Sequence, residues 1–246
     1  VAKGFLSDFG IKIGSYVLQI GKVKVEKPAD TEEEELFKRA EDSIVRCFCE
    51  KTTDLMKEEI DRAMENGDSL GGVFEVFVKD VPPGIGDHTQ WDRRIDGRIA
   101  QALMSIQAIK GVEIGGGFAL SSLPGSSVMD EIFYSPNEPY GFYRRTNNAG
   151  GIEGGMTNGM TIIVRGAMKP IPTLKRPLNS VDILTKEPVK AAYERSDVCA
   201  VPSASVIAES MVGMIIADAF LEKFGGDSME EVHRNYESYI KYLKTF

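Results

Sequence analysis

The chain has 246 residues, and 29 Lys and Arg against 37 Asp and Glu leave a formal net charge of −8 and a pI near 5.0. This acidic balance argues against general nucleic-acid binding, which needs a basic face, but leaves room for a small anion in a local basic pocket. Apolar residues make up 42 %, enough for a substantial core. The three cysteines, Cys47, Cys49 and Cys199, are odd in number and show no zinc spacing, so no metal is expected and a reducing cytoplasm is the simplest setting.

Residues 1–10 (VAKGFLSDFG) lack an initiator Met and read as the tail of a helix already under way, so the chain is expected to begin inside a longer product. Residues 11–25 alternate as one or two strands around Gly21, broken by Pro28 and Asp30. Thr31 with Glu34 has the pattern of a capping box, opening a helix whose stripe is Leu36, Ala40, Ile44, Val45 and Phe48. Asp54 is expected to cap a second helix carrying Met56, Ile60, Ala63 and Met64, with a stop at Asn66-Gly67. A strand over 73–78 lies between Gly71-Gly72 and Pro82-Pro83. A helix over 95–106 follows, with Ile99, Leu103 and Ile106 inward. A short strand then leads to Gly115-Gly116-Gly117 and a turn-rich connection over 121–140. Residues 206–224 read as a long helix, apolar round most of its circumference and therefore buried on several sides. Glu209 and Asp218 interrupt it, so no membrane span is expected. Gly225-Gly226 stops it, and a second capping box, Ser228 with Glu231, opens a last helix lined by Met229, Val232, Tyr236, Tyr239 and Leu243. With no repeat and no clear linker, the expectation is a single α+β domain over residues 1–246.

The charge pattern reverses between Tyr140 and Arg176. Six cations, Arg144, Arg145, Arg165, Lys169, Lys175 and Arg176, stand against Glu153 alone, a local +5. Gly150, Gly151, Gly154, Gly155 and Gly159 punctuate the same stretch, and backbone N–H groups approach an anion closely where no Cβ intervenes. A basic surface loop beside an edge strand explains the pattern equally well. Lys169-Pro170-Ile171-Pro172-Thr173 offers a cation and a hydroxyl on a backbone stiffened by two prolines, which suits binding; it also suits a strand terminator. In Arg195-Ser196-Asp197 the guanidinium can grip a phosphate in two places while the carboxylate directs a proton, although an ordinary charge pair has the same spacing. Asn147 and Asn148 shape a turn. His88 and His233 read as surface histidines, with no Ser–His–Asp arrangement about them.

Five segments together resemble the chorismate synthase family in order and spacing: residues 145–159 (RTNNAGGIEGGMTNG), 164–174 (VRGAMKPIPTL), 194–202 (ERSDVCAVP), 102–118 (ALMSIQAIKGVEIGGGF) and 67–72 (GDSLGG). The resemblance implies a fold with helices sandwiched between antiparallel β-sheets, commonly a homotetramer. It implies a shikimate-pathway lyase that converts 5-enolpyruvylshikimate 3-phosphate to chorismate and phosphate by 1,4-anti elimination. Reduced FMN is the implied cofactor, NADP is an associated expectation, and an external source is expected to reduce the flavin. By motif, the FMN contacts fall on Gln107, Ala108, Gly154, Lys169, Pro170, Ile171, Pro172, Thr173 and Arg195. Arg195 and Ser196 lie toward the substrate, and Asp197 matches the family's carboxylate near flavin N5, the catalytic position.

The chain also departs from the family pattern. The family's two catalytic histidines and several substrate-binding arginines belong to an upstream segment absent here, and neither His88 nor His233 matches them. The chain is therefore expected to be the C-terminal portion of such an enzyme, inactive or severely impaired by itself, since general acid–base catalysis is commonly worth about a hundredfold or more. The alternative is a non-catalytic module that keeps only FMN-binding or oligomerisation surfaces.

Overall fold

The computed structural model describes residues 1–28 and 31–246, so the strand break expected at Asp30 lies outside the described residues. A short helix, α1 (Ala2–Ser7), precedes β1 (Lys12–Ile20) and β2 (Val23–Lys24), the two strands expected around Gly21. Helices α2 (Glu33–Glu41) and α3 (Glu50–Glu65) lead to β3 (Gly72–Lys79), α4 (Ile95–Met104) and β4 (Ile109–Ile114). The turn-rich connection contains α5 (Gly125–Val128) and the hairpin β5 (Ile132–Tyr134) with β6 (Phe142–Arg144). Next come β7 (Ile152–Glu153), β8 (Met156–Thr157) and β9 (Ile162–Met168). A second hairpin, β10 (Asn179–Val181) with β11 (Pro188–Lys190), precedes α6 (Val201–Phe224) and α7 (Met229–Leu243).

The α+β expectation holds. The main sheet has order β2-β1-β3-β9-β4 and every pairing in it is antiparallel. Side chains alternate across it, as the period of two requires. Ile13 and Ser15 face α6, where Ile13 meets Gly213 and Ser15 donates to Glu209. Gly14 faces the other way, under the Phe37 ring of α2. One apolar cluster runs from Leu6 to Val232.

By length and composition α6 is the one helix among the described residues able to cross a membrane, but 56 % of its apolar window is buried within the chain. It packs on β1, β3, α1 and α4, the position of a core helix. Glu209, which interrupts its apolar run, is buried between Lys3, Ser15 and Arg46. The helix begins at Val201, earlier than expected, because Pro202 in its first turn fits a backbone that needs no N–H there.

Several boundaries moved for identifiable reasons. The N-cap of α2 is Glu32, not Thr31, and it makes no side-chain cap. Glu32 and Glu34 instead reach Lys79 (2.6 Å) and Lys12 (3.0 Å) on the sheet. The helix also ends by Glu41. Arg46 takes a left-handed φ of 57°, which no α-helix continues, and it leaves Ile44 exposed while Val45 and Phe48 are buried from a loop. Asp54 is not a cap, because α3 starts four residues earlier with Cys49 before it; Asp54 pairs with Lys57. Met64 is exposed rather than inward. The Ser228 cap forms, its Oγ accepting from Glu231 N–H (3.3 Å), while the return bond of the box is displaced by one residue, Glu231 accepting from Asp227 N–H (2.8 Å). His233 is half-buried, its ring stacked 4.4 Å from Phe9.

Candidate functional site

Strand β9 delivers the residues of interest to one end of the sheet. Its last residue, Met168, pairs with Ile109 at the start of β4, where a bulge spans Ile109 and Gly111. Just before the bulge, Ala108 sits at φ 66°, a left-handed conformation that costs a non-glycine residue about 1–3 kcal/mol. The carbonyl of Ala108 accepts the Lys169 N–H at 2.9 Å. The structure thus places Gln107 and Ala108 directly against the start of the Lys169–Thr173 loop.

Two further segments meet this loop. Ser69 Oγ donates to the Ile171 carbonyl at 2.5 Å, and Ser196 Oγ donates to the Thr173 carbonyl at 3.3 Å. Leu70 N–H donates to Val198 O at 2.8 Å, and Leu70 bridges Cys199 in parallel. Residues 107–108, 169–173 and 195–197 are therefore gathered at one place. Ser196, Asp197, Thr173 and Lys175 line a crevice of only ≈20 Å³, and a neighbouring cavity of ≈570 Å³ is lined by Gly67, Leu174, Arg176 and Lys190 among others.

Charge is distributed differently from the sequence pattern. Arg165 points onto the α2 face of the sheet, in a row with Tyr16, Glu75 and Glu113. Its Nε donates to the fully buried Glu75 (2.8 Å) and its Nη1 to Gly115 O (3.0 Å). Glu75 also accepts from Tyr16 Oη (2.5 Å) and Lys27 Nζ (3.1 Å). Burial, and then this carboxylate, push the Tyr16 hydroxyl far above its ordinary pKa. Arg144 is held by Glu153 (2.6 Å), and Arg145 lies 4.2 Å from the centre of the Phe133 ring. Three of the six cations are thus engaged elsewhere. Lys169, Lys175, Arg176 and the nearby Arg195 are exposed and make no ion pair among the described residues. The ordinary Arg195–Asp197 pair does not form, so both groups face solvent uncompensated.

Gly154 is not brought to this cluster. It occupies the exposed β7–β8 turn, and that segment docks through Gly151 beside Ile162, at the opposite end of β9 from Met168. Six residues of strand separate the two ends by roughly 20 Å. Around this second segment Asn147 shapes the turn as expected, donating to Thr161 O (2.7 Å) and accepting from Gly151 N–H (2.8 Å). Asp130, not singled out by sequence, braces it by accepting from the N–H groups of Asn148 and Ala149 (both 2.9 Å) and from Thr146 Oγ1 (2.5 Å). Burial alone would raise the Asp130 pKa, but these donors outweigh it and hold the carboxyl below its ordinary value. Ser69 was likewise missed. Its signal lay in the glycines beside it, because a Cβ on Gly71 would lie 2.9 Å from Lys169 C and Pro170 N. That contact is readable only once the chain is folded.

A family profile described as chorismate synthase matches residues 1–221. Proteins named chorismate synthase from Aquifex aeolicus and Geobacter metallireducens are 57 % identical over 253 residues and 52 % identical over 251. These alignments take in 100 % of this chain but 63 % and 64 % of the relatives. A crystal structure described as chorismate synthase superposes with a TM-score of 0.85 at 50 % identity, covering all of this chain and 67 % of that one. The chain thus spans just under two thirds of the length of the curated relatives it matches.

Proposed function

The chain belongs to the chorismate synthase family, and from that premise we propose that a protein carrying it at the length of its relatives eliminates phosphate from 5-enolpyruvylshikimate 3-phosphate to give chorismate. The observation that carries the reading is the meeting of separate chain segments at the Lys169–Thr173 loop, beside which Lys169, Lys175, Arg176 and Arg195 are exposed and make no ion pair among the described residues. A loop held at Lys169, Ile171 and Thr173 and stiffened by two prolines loses little freedom on binding.

The residues present fit the phosphate end of FMN. Lys169, Arg195 and the Thr173 hydroxyl would hold its dianion, with Gln107 and Ala108 against the Lys169 end of the loop. When bound, reduced FMN supplies electron density as the allylic phosphate leaves and a base for the C6 proton. Arg195 and Ser196 orient the substrate anion, and the Asp197 carboxylate takes up or releases a proton at Oδ beside that site. The ≈20 Å³ crevice at Ser196 and Asp197 is far below the about 300 Å³ or more of a small-molecule pocket, and the ≈570 Å³ cavity beside it is lined by neither residue, so a substrate site at Asp197 needs walls from outside these residues. That observation favours a second reading for the 246-residue chain alone, a binding module without turnover. Gly154, distant in this fold, joins a flavin site through another copy or through the additional length that relatives carry.

We further assign a homotetramer, supported by apolar residues exposed on the β5–β6 and β10–β11 hairpins (Ile132, Tyr134, Val181, Ile183, Leu184). Residues 1–246 form one α+β unit in this reading, because a single apolar cluster spans them. The flavin is reduced by an external source with NADP as its linked nicotinamide. The free thiols of Cys47, Cys49 and Cys199 suit a cytoplasmic setting.

Flavin fluorescence titration with FMN tests the site. Saturable binding weakened about tenfold or more by Lys169→Ala and by Arg195→Ala is expected, since a hydrogen bond to a charged group is worth about 1.5–3 kcal/mol. Unchanged affinity in both variants contradicts the assignment.

A further inference from the structure

Residues 67–72 (GDSLGG) carry none of the residues assigned to ligand above, yet the 169–173 loop and the segment that follows Ser196 are both tied to them. The Gly67 carbonyl accepts the Arg176 N–H at 3.2 Å, and Gly67 itself turns the chain at φ 70°. Leu70 holds Val198, two residues from Ser196. Gly71 lies so close to Lys169 and Pro170 that no side chain fits between them. Ser69 is 5 % exposed, and the Asp68 carboxylate holds its N–H at 2.8 Å.

The loop itself has little means of self-support. Pro170 and Pro172 contribute no N–H, so the middle of the loop depends on an outside donor for its carbonyl. The backbone of Ala108 fixes one end and the exposed Ser196 the other. Ser69, buried and itself anchored, fixes the centre through Ile171. We propose that Ser69 is a positioning residue for the anion-binding loop, directing the Lys169 ammonium and Thr173 hydroxyl through its bond to the Ile171 carbonyl. This rests on the reading of that loop as the phosphate end of a flavin site. Losing one such bond shifts an equilibrium by about five- to tenfold.

The test uses Ser69→Ala in the protein at the full length of its relatives, with two readouts. Hydrogen exchange at the Lys169 amide, which is bonded to Ala108, is expected to quicken, and FMN affinity to fall about five- to tenfold, while thermal stability stays within a few degrees of the parent. Faster exchange with no FMN binding in the parent overturns the flavin reading but leaves the positioning role. Parent-like exchange and affinity in Ser69→Ala overturn the positioning role but leave the flavin reading. Should Ser69→Ala fail to fold, Ser69→Thr and Ser69→Val repeat the comparison, because they match in bulk and differ in the hydroxyl. Faster exchange and weaker binding in the Val variant alone support the proposal, and equal behaviour overturns it.

Discussion

Glu75→Gln removes one charge from a fully buried carboxylate while keeping its shape. The carboxylate accepts from Tyr16 at 2.5 Å, Arg165 at 2.8 Å and Lys27 at 3.1 Å. An amide can serve only some of these donors, and its own NH₂ then faces a cation. Breaking a wholly buried pair costs about 3–5 kcal/mol. Here the Lys27 and Arg165 side chains keep 27 % and 31 % of their exposure, so water relieves part of the cost and about 3 kcal/mol is expected. For a chain of this size that corresponds to roughly 6–12 °C in Tm. Tyr16→Phe, which removes one of the three bonds, is expected to cost about 1 kcal/mol. Replacing Glu75 with Gln and Arg165 with Met together is expected to recover a large part of the loss, because no unpaired cation then remains over β9. Equilibrium unfolding in urea at neutral pH measures all three. A Glu75→Gln protein within about 0.5 kcal/mol of the parent would refute the reasoning, since that is the range of an indifferent surface change.

The Asp130 brace gives an acid-side prediction. Its folded pKa lies below the ordinary 3.8, so its contribution is fully present above that value and is lost as pH falls through the folded value. Asp130→Asn is therefore expected to lower stability at neutral pH and to flatten the loss below about pH 4, as read by denaturation at several pH values; an unchanged acid profile contradicts the brace. At Ala108 the left-handed backbone favours glycine, and Ala108→Gly is expected to leave stability unchanged or raise it by up to about 1 kcal/mol, visible in a thermal melt. A fall in Tm there means that the conformation is not strained.

Local signals carried much of the fold. The alternation around Gly21, the Ser228 cap and the Gly225-Gly226 stop each act within a few residues, and each appears where the sequence implies it. The α3 stop at Asn66-Gly67 does so too, but the starts of α2 and α3 do not: Glu32 and Glu34 are claimed by Lys79 and Lys12, partners no local pattern names, and α3 opens at Glu50, ahead of Asp54. The candidate site divided in the same way. Lys169–Thr173, Ser196 and Ala108 were readable as motifs and do come together. Arg165 belongs on paper to the same cationic stretch, but Glu75, ninety residues earlier, pairs with it and takes up its charge. Gly154 shared that stretch too, and strand β9 carries the chain away from it. Ser69 stayed hidden because its role is a contact 102 residues distant in sequence.

The most direct test of the account is an anaerobic assay of a protein carrying this chain at the full length of its relatives. It is given 5-enolpyruvylshikimate 3-phosphate and chemically reduced FMN, and phosphate and chorismate are measured together. The account predicts equal release of the two products, dependent on reduced FMN and strongly impaired by Asp197→Ala. Phosphate without chorismate, or turnover indifferent to the flavin, would contradict it.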